Sequence, residues 1–290
     1  MDEFHRSVMC EEIVKALSPS PQGVYVDATL GGGGHTAALL EAGAGKVIAL
    51  DMDGEALAYA GQNLTRFAER LSLHHSNFRY LDEVLEEEGI DKVQGVVFDL
   101  GLSWHQVRRE ERGFSYQGDG ALDMRFDAES DSRTALEIIR SEPKVSIERI
   151  LRDYGEEPQS RRIAQAIVEH RRDLKTTADL ADLLGQVVGT RGFRKTAMRV
   201  FQALRIAVND ELESLRIGLE AAIARLASGG RVAVLAYHSL EDRIVKNRYR
   251  QAEQSKEYRR VNRKPIFASG KEVKKNPAAR SARLRVLEKL

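Results

Sequence analysis

The segment Asp27-Ala28-Thr29-Leu30-Gly31-Gly32-Gly33-Gly34-His35 joins a β-forming run to a helix-forming one. Glycines at such a junction let a ligand approach the backbone and the helix N-terminus. Gly32, Gly34 and Ala37 satisfy G-x-G-x-x-A. Asp51 closes the next apolar run about 20 residues on, where a carboxylate can accept hydrogen bonds from a ribose diol. A second acid, Asp99, follows the run Val93–Phe98. In open α/β sheets ligands gather outside the carboxyl ends of the strands, so Asp99 is placed to face both a nucleoside ligand and the molecule that reacts with it. A turn or cap carboxylate is the alternative for Asp99.

The type of ligand follows from charge. A dinucleotide would set a doubly charged pyrophosphate on the glycine loop, and Asp27, four residues before Gly31, would oppose it. S-adenosylmethionine (SAM) has no phosphate and carries an ammonium and a sulfonium, which a nearby carboxylate attracts. The alternative for Asp27 is a strand-end side chain that bonds nearby backbone. No second glycine-rich half follows for a dinucleotide, and SAM is the better match.

These residues need a scaffold that brings strand ends together. Val24–Thr29, Val47–Leu50, Leu71–His75 and Val93–Phe98 read as strands, with helices over His35–Glu41, Glu55–Leu71 and Tyr80–Glu88 between them. The order implies a parallel sheet with right-handed crossovers. After Trp104 the pattern turns helical, with segments over Ser146–Tyr154, Gln159–Arg172, from Thr177, and Lys195–Val208. Asn209 suits an N-cap, and the helix it opens is expected to stop at Gly229-Gly230. A strand over Arg231–Tyr237 and a helix over Glu241–Ala252 then resume the α/β pattern. The expected fold is α/β: a doubly wound domain over 1–104 and 209–290, with an all-helical insertion over 105–208.

Composition narrows the function. The 290 residues carry 42% hydrophobic and 31% charged side chains, enough apolar surface for a core and too much for a disordered chain. A single cysteine, Cys10, leaves no intrachain disulfide framework and fits a reducing compartment. No apolar run nears a membrane span, so a cytoplasmic protein with no membrane partner is expected. The seven histidines suggest no ligand set, since His74 and His75 would point to opposite faces of a strand, and no metal is expected. The net charge of +1 conceals an asymmetry: Arg243–Leu290 holds 16 Lys/Arg against 4 Asp/Glu. A basic end of this kind fits a nucleic-acid partner, with a solvated tail as the alternative.

Several blocks then resemble one family. They are His5-Arg6-Ser7-Val8, Asp27–His35, Asp99-Leu100-Gly101, Arg112-Gly113-Phe114-Ser115, Leu122-Asp123-Met124-Arg125, Tyr154-Gly155-Glu156-Glu157, Phe201–Ile206, His238–Lys246 and Asn276–Ser281. Together they resemble the bacterial RsmH (MraW) family of SAM-dependent 16S rRNA cytosine-N4 methyltransferases. The resemblance implies a class I SAM-dependent methyltransferase fold with a helical insertion that recognises RNA. It implies SAM contacts at the backbone of Gly33, Gly34 and His35, and at Asp51 (ribose), Phe78 (near adenine), Asp99 and Gln106. It also implies a cytidine of the decoding region of 16S rRNA, within the small subunit, as substrate. The chain departs from the family pattern at Trp104, His105 and Lys195–Arg199, and at Tyr237, where phenylalanine is usual.

On that reading Asp99 is the candidate acceptor for an N4 proton, a role it would share with holding the cofactor. His238 and Ser239 are candidates for base or backbone contact, with a turn-and-cap role as the alternative for Ser239. A nicotinamide-dependent oxidoreductase, from the glycine motif, and a non-catalytic RNA-binding assembly factor, from the basic end, are the other readings. Monomer and homodimer both remain open.

Overall fold

A computed structural model describes residues 7–102 and 109–290. Trp104, His105 and Gln106, with His5 and Arg6, lie outside the described residues. The chain divides into two compact units, Met1–Gly101 with Leu212–Leu290, and Leu102–Glu211.

The first unit opens with α1 (Cys10–Leu17), β1 (Val24–Asp27), α2 (Gly34–Glu41), β2 (Lys46–Asp51), α3 (Gly54–Asn63), β3 (Leu71–His75), α4 (Leu81–Glu87) and β4 (Val93–Asp99). The second unit holds α5 (Ala135–Ser141), α6 (Lys144–Asp153), α7 (Ser160–His170) and α8 (Thr177–Asn209). The chain then returns through α9 (Glu211–Ala224), β5 (Leu226–Ala236), α10 (Ser239–Gln254), β6 (Tyr258–Arg260), β7 (Ile266–Phe267), α11 (Gly270–Lys275) and β8 (Arg283–Lys289).

The sheet runs β3-β2-β1-β4-β5-β8-β6, with β7 also paired to β8. β1 to β5 are parallel, and β8 lies antiparallel to β5, β6 and β7. Strand alternation sorts its side chains onto two cores. Tyr25, Val47, Ala49, Val97 and Leu235 join Leu39 and Leu40 of α2 on one face. Val26, Ile48, Leu50, Val96 and Phe98 join α4, α9 and α10 on the other. Burial on both faces explains why these strands read as continuous apolar runs. In the second unit α5 to α8 enclose a separate core around Ile138, Ile147, Ile163, Leu184 and Leu204. α8 breaks at Gly189, whose φ of 71° no helix accommodates.

Several expectations need correction. The helix expected over Glu55–Leu71 ends at Asn63, and a 3₁₀ turn over Thr65–Arg70 replaces its last part. Asn209 is not an N-cap: it ends α8, and its amide binds the carbonyls of Met124 and Arg205 and the N–H of Phe126. Gly229-Gly230 does not stop a helix, since α9 already ends at Ala224. The pair sits within β5, where the register against β4 shifts. The basic C-terminal end is no tail either, because it supplies β6, β7 and β8. Among the described residues no helix is long and apolar enough to cross a membrane.

Candidate functional site

Register explains how three acids come together. Asp27 pairs with Ala49 on one side and Val97 on the other, so Asp51 and Asp99 lie two residues further along the flanking strands. All three fall on the face of Ala49 and Val97, because side chains two residues apart share a face. They surround the end of β1, from which the glycine loop leaves.

Asp27 is fully buried, and both its oxygens are engaged: Thr29 N–H donates to Oδ1 at 3.2 Å and the Thr36 hydroxyl to Oδ2 at 2.8 Å. Burial raises its pKa. Asp27 therefore braces the loop, which was the alternative its sequence position left open. Asp51 accepts from the Gly31 N–H at 2.7 Å on Oδ2 and from the Asp53 N–H at 2.9 Å on Oδ1. Burial pushes its pKa up to about 6 against the pull of these two donors. Each oxygen uses one of its two lone-pair directions, leaving acceptor capacity for a ligand hydroxyl.

The loop itself presents backbone. A Cβ at Gly31 or Gly32 would meet nothing within 4 Å, while one at Gly34 would strike the Ser7 hydroxyl at 2.1 Å. One side of the loop is thus bare beside Asp51, and the other is covered by the Ser7–Met9 segment. Gly33, with φ of 80°, is the N-cap of α2. The N–H groups of Gly34 and His35 lie in the first turn, where no intrahelical carbonyl reaches them. A nucleoside with ribose hydroxyls toward Asp51 and an uncharged edge against bare backbone fits this cradle, so the residues present suit SAM.

The His35 side chain turns inward: Nε2 donates to the Val8 carbonyl at 2.9 Å, and Nδ1 lies 3.8 Å from Asp99 Oδ2. Burial alone would lower its pKa, but a hydrogen bond to Cys10 and the charges of Asp99 and Asp27 outweigh it and raise the value to about 10. The ordinary value is 6.5, so the stabilising proton is fully bound below that pH and is lost as pH rises through about 10. Thermal unfolding midpoints measured from neutral pH to above 10 are expected to fall for the wild type, and less steeply for His35→Gln. Parallel curves for the two proteins would remove this role.

Asp99 is held from several sides. Its N–H donates to the Thr29 hydroxyl at 2.6 Å, and its Oδ1 accepts from the Gly101 N–H at 3.1 Å. The Tyr237 side chain stands close by, and burial, with the Asp99 charge next, raises its pKa well above the ordinary value. Gly101 is required where it stands, since a Cβ would lie 2.9 Å from the Tyr237 ring.

Phe78 stands in a 3₁₀ turn after β3, edge-on to Phe98 with ring centroids 5.5 Å apart. Its backbone lies so close to Gly218 of α9 that a Cβ there would meet the Phe78 carbonyl oxygen at 2.8 Å. His238 caps α10 jointly with Glu241, so the cap falls one residue before Ser239, where it was expected, and Ser239 is the first residue of the helix. Gly33, Gly34, His35, Asp51 and Asp99 thus converge on the carboxyl end of β2, β1 and β4, with Phe78 just beyond β3; Gln106 lies outside the described residues. Sequence reasoning missed the loop-bracing hydroxyls of Thr29 and Thr36. It also missed the place of Tyr237 beside Asp99, although the position of Tyr237 just past a strand next to β4 was a usable signal.

A family model described as the MraW methylase family matches residues 2–290. Among curated proteins, the Ribosomal RNA small subunit methyltransferase H of Geobacter sp. strain M21 is 44% identical over 100% of both chains. The protein of that name from Kosmotoga olearia is 45% identical over 100% of this chain and 98% of its own. A Streptococcus mutans protein solved in complex with SAH aligns over 99% of each chain with a TM-score of 0.50 and 12% identity, a likeness of fold alone.

Proposed function

The chain belongs to the MraW methylase family, and from that premise we propose that it transfers a methyl group from SAM to N4 of a cytidine in the decoding region of 16S ribosomal RNA. The observation that carries the reading is the full-length match to rRNA small subunit methyltransferases, together with a bare glycine loop beside a strand-end carboxylate. The family speaks against a nicotinamide-dependent oxidoreductase, and the half-buried Asp99, held by the Gly101 N–H and beside His35, favours an enzyme over a passive assembly factor. Cytoplasmic residence belongs to the same proposal.

SAM supplies an electrophilic methyl on a sulfonium. Asp51 holds the ribose through its spare lone pairs, the backbone of Gly33, Gly34 and His35 lines the cradle, and Phe78 lies toward the adenine. Cytosine N4 is a weak nucleophile because its lone pair is delocalised into the ring, so much of the rate rests on positioning. Asp99 holds the amine by accepting an N–H and takes a proton as the new bond forms. The Gly101 N–H and His35 fix the orientation of that carboxylate. The target base must be unpaired or flipped to reach it. The helical unit contributes RNA recognition in this reading, supported by a groove where Lys144, Arg161 and Arg162 adjoin Pro158, Ala166 and Val187.

Incubation with labelled SAM and small subunits that lack the modification, followed by mapping of the label, tests the proposal. Label on a cytidine N4 of 16S rRNA is the expected result. Label on another base or on protein, or none with SAM bound, would refute it.

A further inference from the structure

The C-terminal sheet edge carries an exposed aromatic in a strongly basic setting. Phe267 of β7 is 57% exposed, and the neighbouring Ile266 is exposed as well. Phe267 pairs with Arg283 of β8, and directly opposed residues of an antiparallel pair share a face. Arg263 and Lys264 precede the strand and Lys274 and Lys275 follow it on α11, all exposed. Three of the four acids in this region are already engaged. Glu253 pairs with Arg260, Glu288 with Arg231 and Arg259, and Glu272 accepts the Met9 N–H. Arg259 and Arg260, which the sequence alone would count among the phosphate-binding cations, therefore serve the fold. The Glu253 carboxylate also feels the charge of Arg263, whereas among the described residues no salt bridge holds Lys264, Lys274 or Lys275.

The position of this edge is informative. Asp99 pairs with Leu235 of β5, Ala236 pairs with Arg283 of β8, and Arg283 pairs with Phe267. Phe267 thus lies at the sheet end that carries Asp99, three strand spacings or about 14 Å across the sheet, on the opposite face, since Asp99 pairs with Leu235 and Arg283 opposes the next residue, Ala236. A chain whose target base reaches Asp99 must be unpaired there, and its neighbouring nucleotides would run along this edge.

We propose that Phe267 and Arg283, with Arg263, Lys264, Lys274 and Lys275, form a docking surface for single-stranded ribosomal RNA flanking the methylated nucleotide. The Phe267 ring stacks an unpaired base, and the cations hold the phosphates on either side. Aromatic platforms set among cations bind single strands in this way, with little dependence on sequence. The proposal rests on the reading of the substrate as ribosomal RNA.

Its test measures binding of a single-stranded 16S rRNA oligonucleotide containing the methylated cytidine across a salt series. Wild type is compared with Phe267→Ala, Phe267→Trp and the pair Lys274→Glu and Lys275→Glu. SAM titration shows that each variant is folded. Phe267→Ala is expected to weaken binding about 5- to 150-fold at every salt concentration, the range that base stacking gives, and Phe267→Trp to restore it. The charge reversal is expected to flatten the slope of log affinity against log salt by about 1.4, at about 0.7 per phosphate. Wild-type affinity in Phe267→Ala would overturn the proposal. So would a change in sedimentation with RNA affinity intact, which would mark an interface between copies of the chain. A wild-type protein that binds SAM but neither binds nor methylates ribosomal RNA would instead remove the substrate reading, and this proposal with it.

Discussion

Asp99→Asn is expected to lower the rate of methyl transfer at saturating SAM and RNA by about 10²- to 10⁴-fold, the usual contribution of a positioned proton acceptor. Asparagine keeps the shape and one carbonyl oxygen, so the Gly101 N–H retains an acceptor, while the negative charge and the basicity are lost. The same substitution separates the two roles open to this residue. A group that only orients the cofactor would, once changed, weaken SAM binding and leave the saturated rate near wild type. Single-turnover measurements with SAM affinity determined in parallel make the distinction. An unchanged saturated rate would assign Asp99 to cofactor binding and leave the proton acceptor elsewhere.

That Asp99 could be picked out at all reflects how the parallel half of the sheet writes itself into sequence. β1, β2 and β4 are covered on both faces, so each is an apolar run that ends in a single acid, and an acid there must lie at the carboxyl end of the strand. The glycine loop was legible for the same reason, since bare residues between strand and helix have few other uses. The antiparallel half was not legible. β8 reads Arg283-Leu284-Arg285-Val286-Leu287-Glu288-Lys289, and its charges suggest a surface segment. In the structure Arg285 and Glu288 are buried because Asp242 pairs with the first, and Arg231 and Arg259 with the second. Those partners stand 29 to 57 residues away, and no local pattern announces them. Asn209 misled for a related reason: its local sequence suits an N-cap, but the loop around Met124 and Phe126 uses its amide. Tyr237 shows the limit within the site itself. Its place beside β4 could be read from strand order, but its closeness to Asp99 depends on Gly101 leaving room for the ring.

Asp51 gives the second large effect. Asp51→Ala is expected to weaken SAM binding by about 1.5–3 kcal/mol through loss of charge-assisted hydrogen bonds to the ribose. Part of that loss reflects the loop, because the Gly31 and Asp53 N–H groups lose their acceptor. Asp51→Asn keeps an acceptor oxygen for one of them and separates the contributions. The pH dependence adds an independent check. Burial raises the Asp51 pKa from 3.8 to about 6, so in the cofactor-free protein the protonated carboxyl stabilises the fold below 3.8, a contribution lost as pH rises through about 6. Binding needs the ionised form as acceptor for the ribose hydroxyls. Above pH 6 the carboxylate is already ionised and SAM affinity is expected to be flat. Below pH 6 the carboxyl must give up its proton before it can accept, and the dissociation constant is expected to rise toward tenfold per pH unit. Calorimetric titrations between pH 5 and 8 make the comparison. Wild type should bend near pH 6, and Asp51→Asn, with no proton to lose, should stay flat through the same range. A bend of the same size in both proteins would show that another group controls the titration, and Asp51 would then be a brace for the glycine loop that does not contact the ribose.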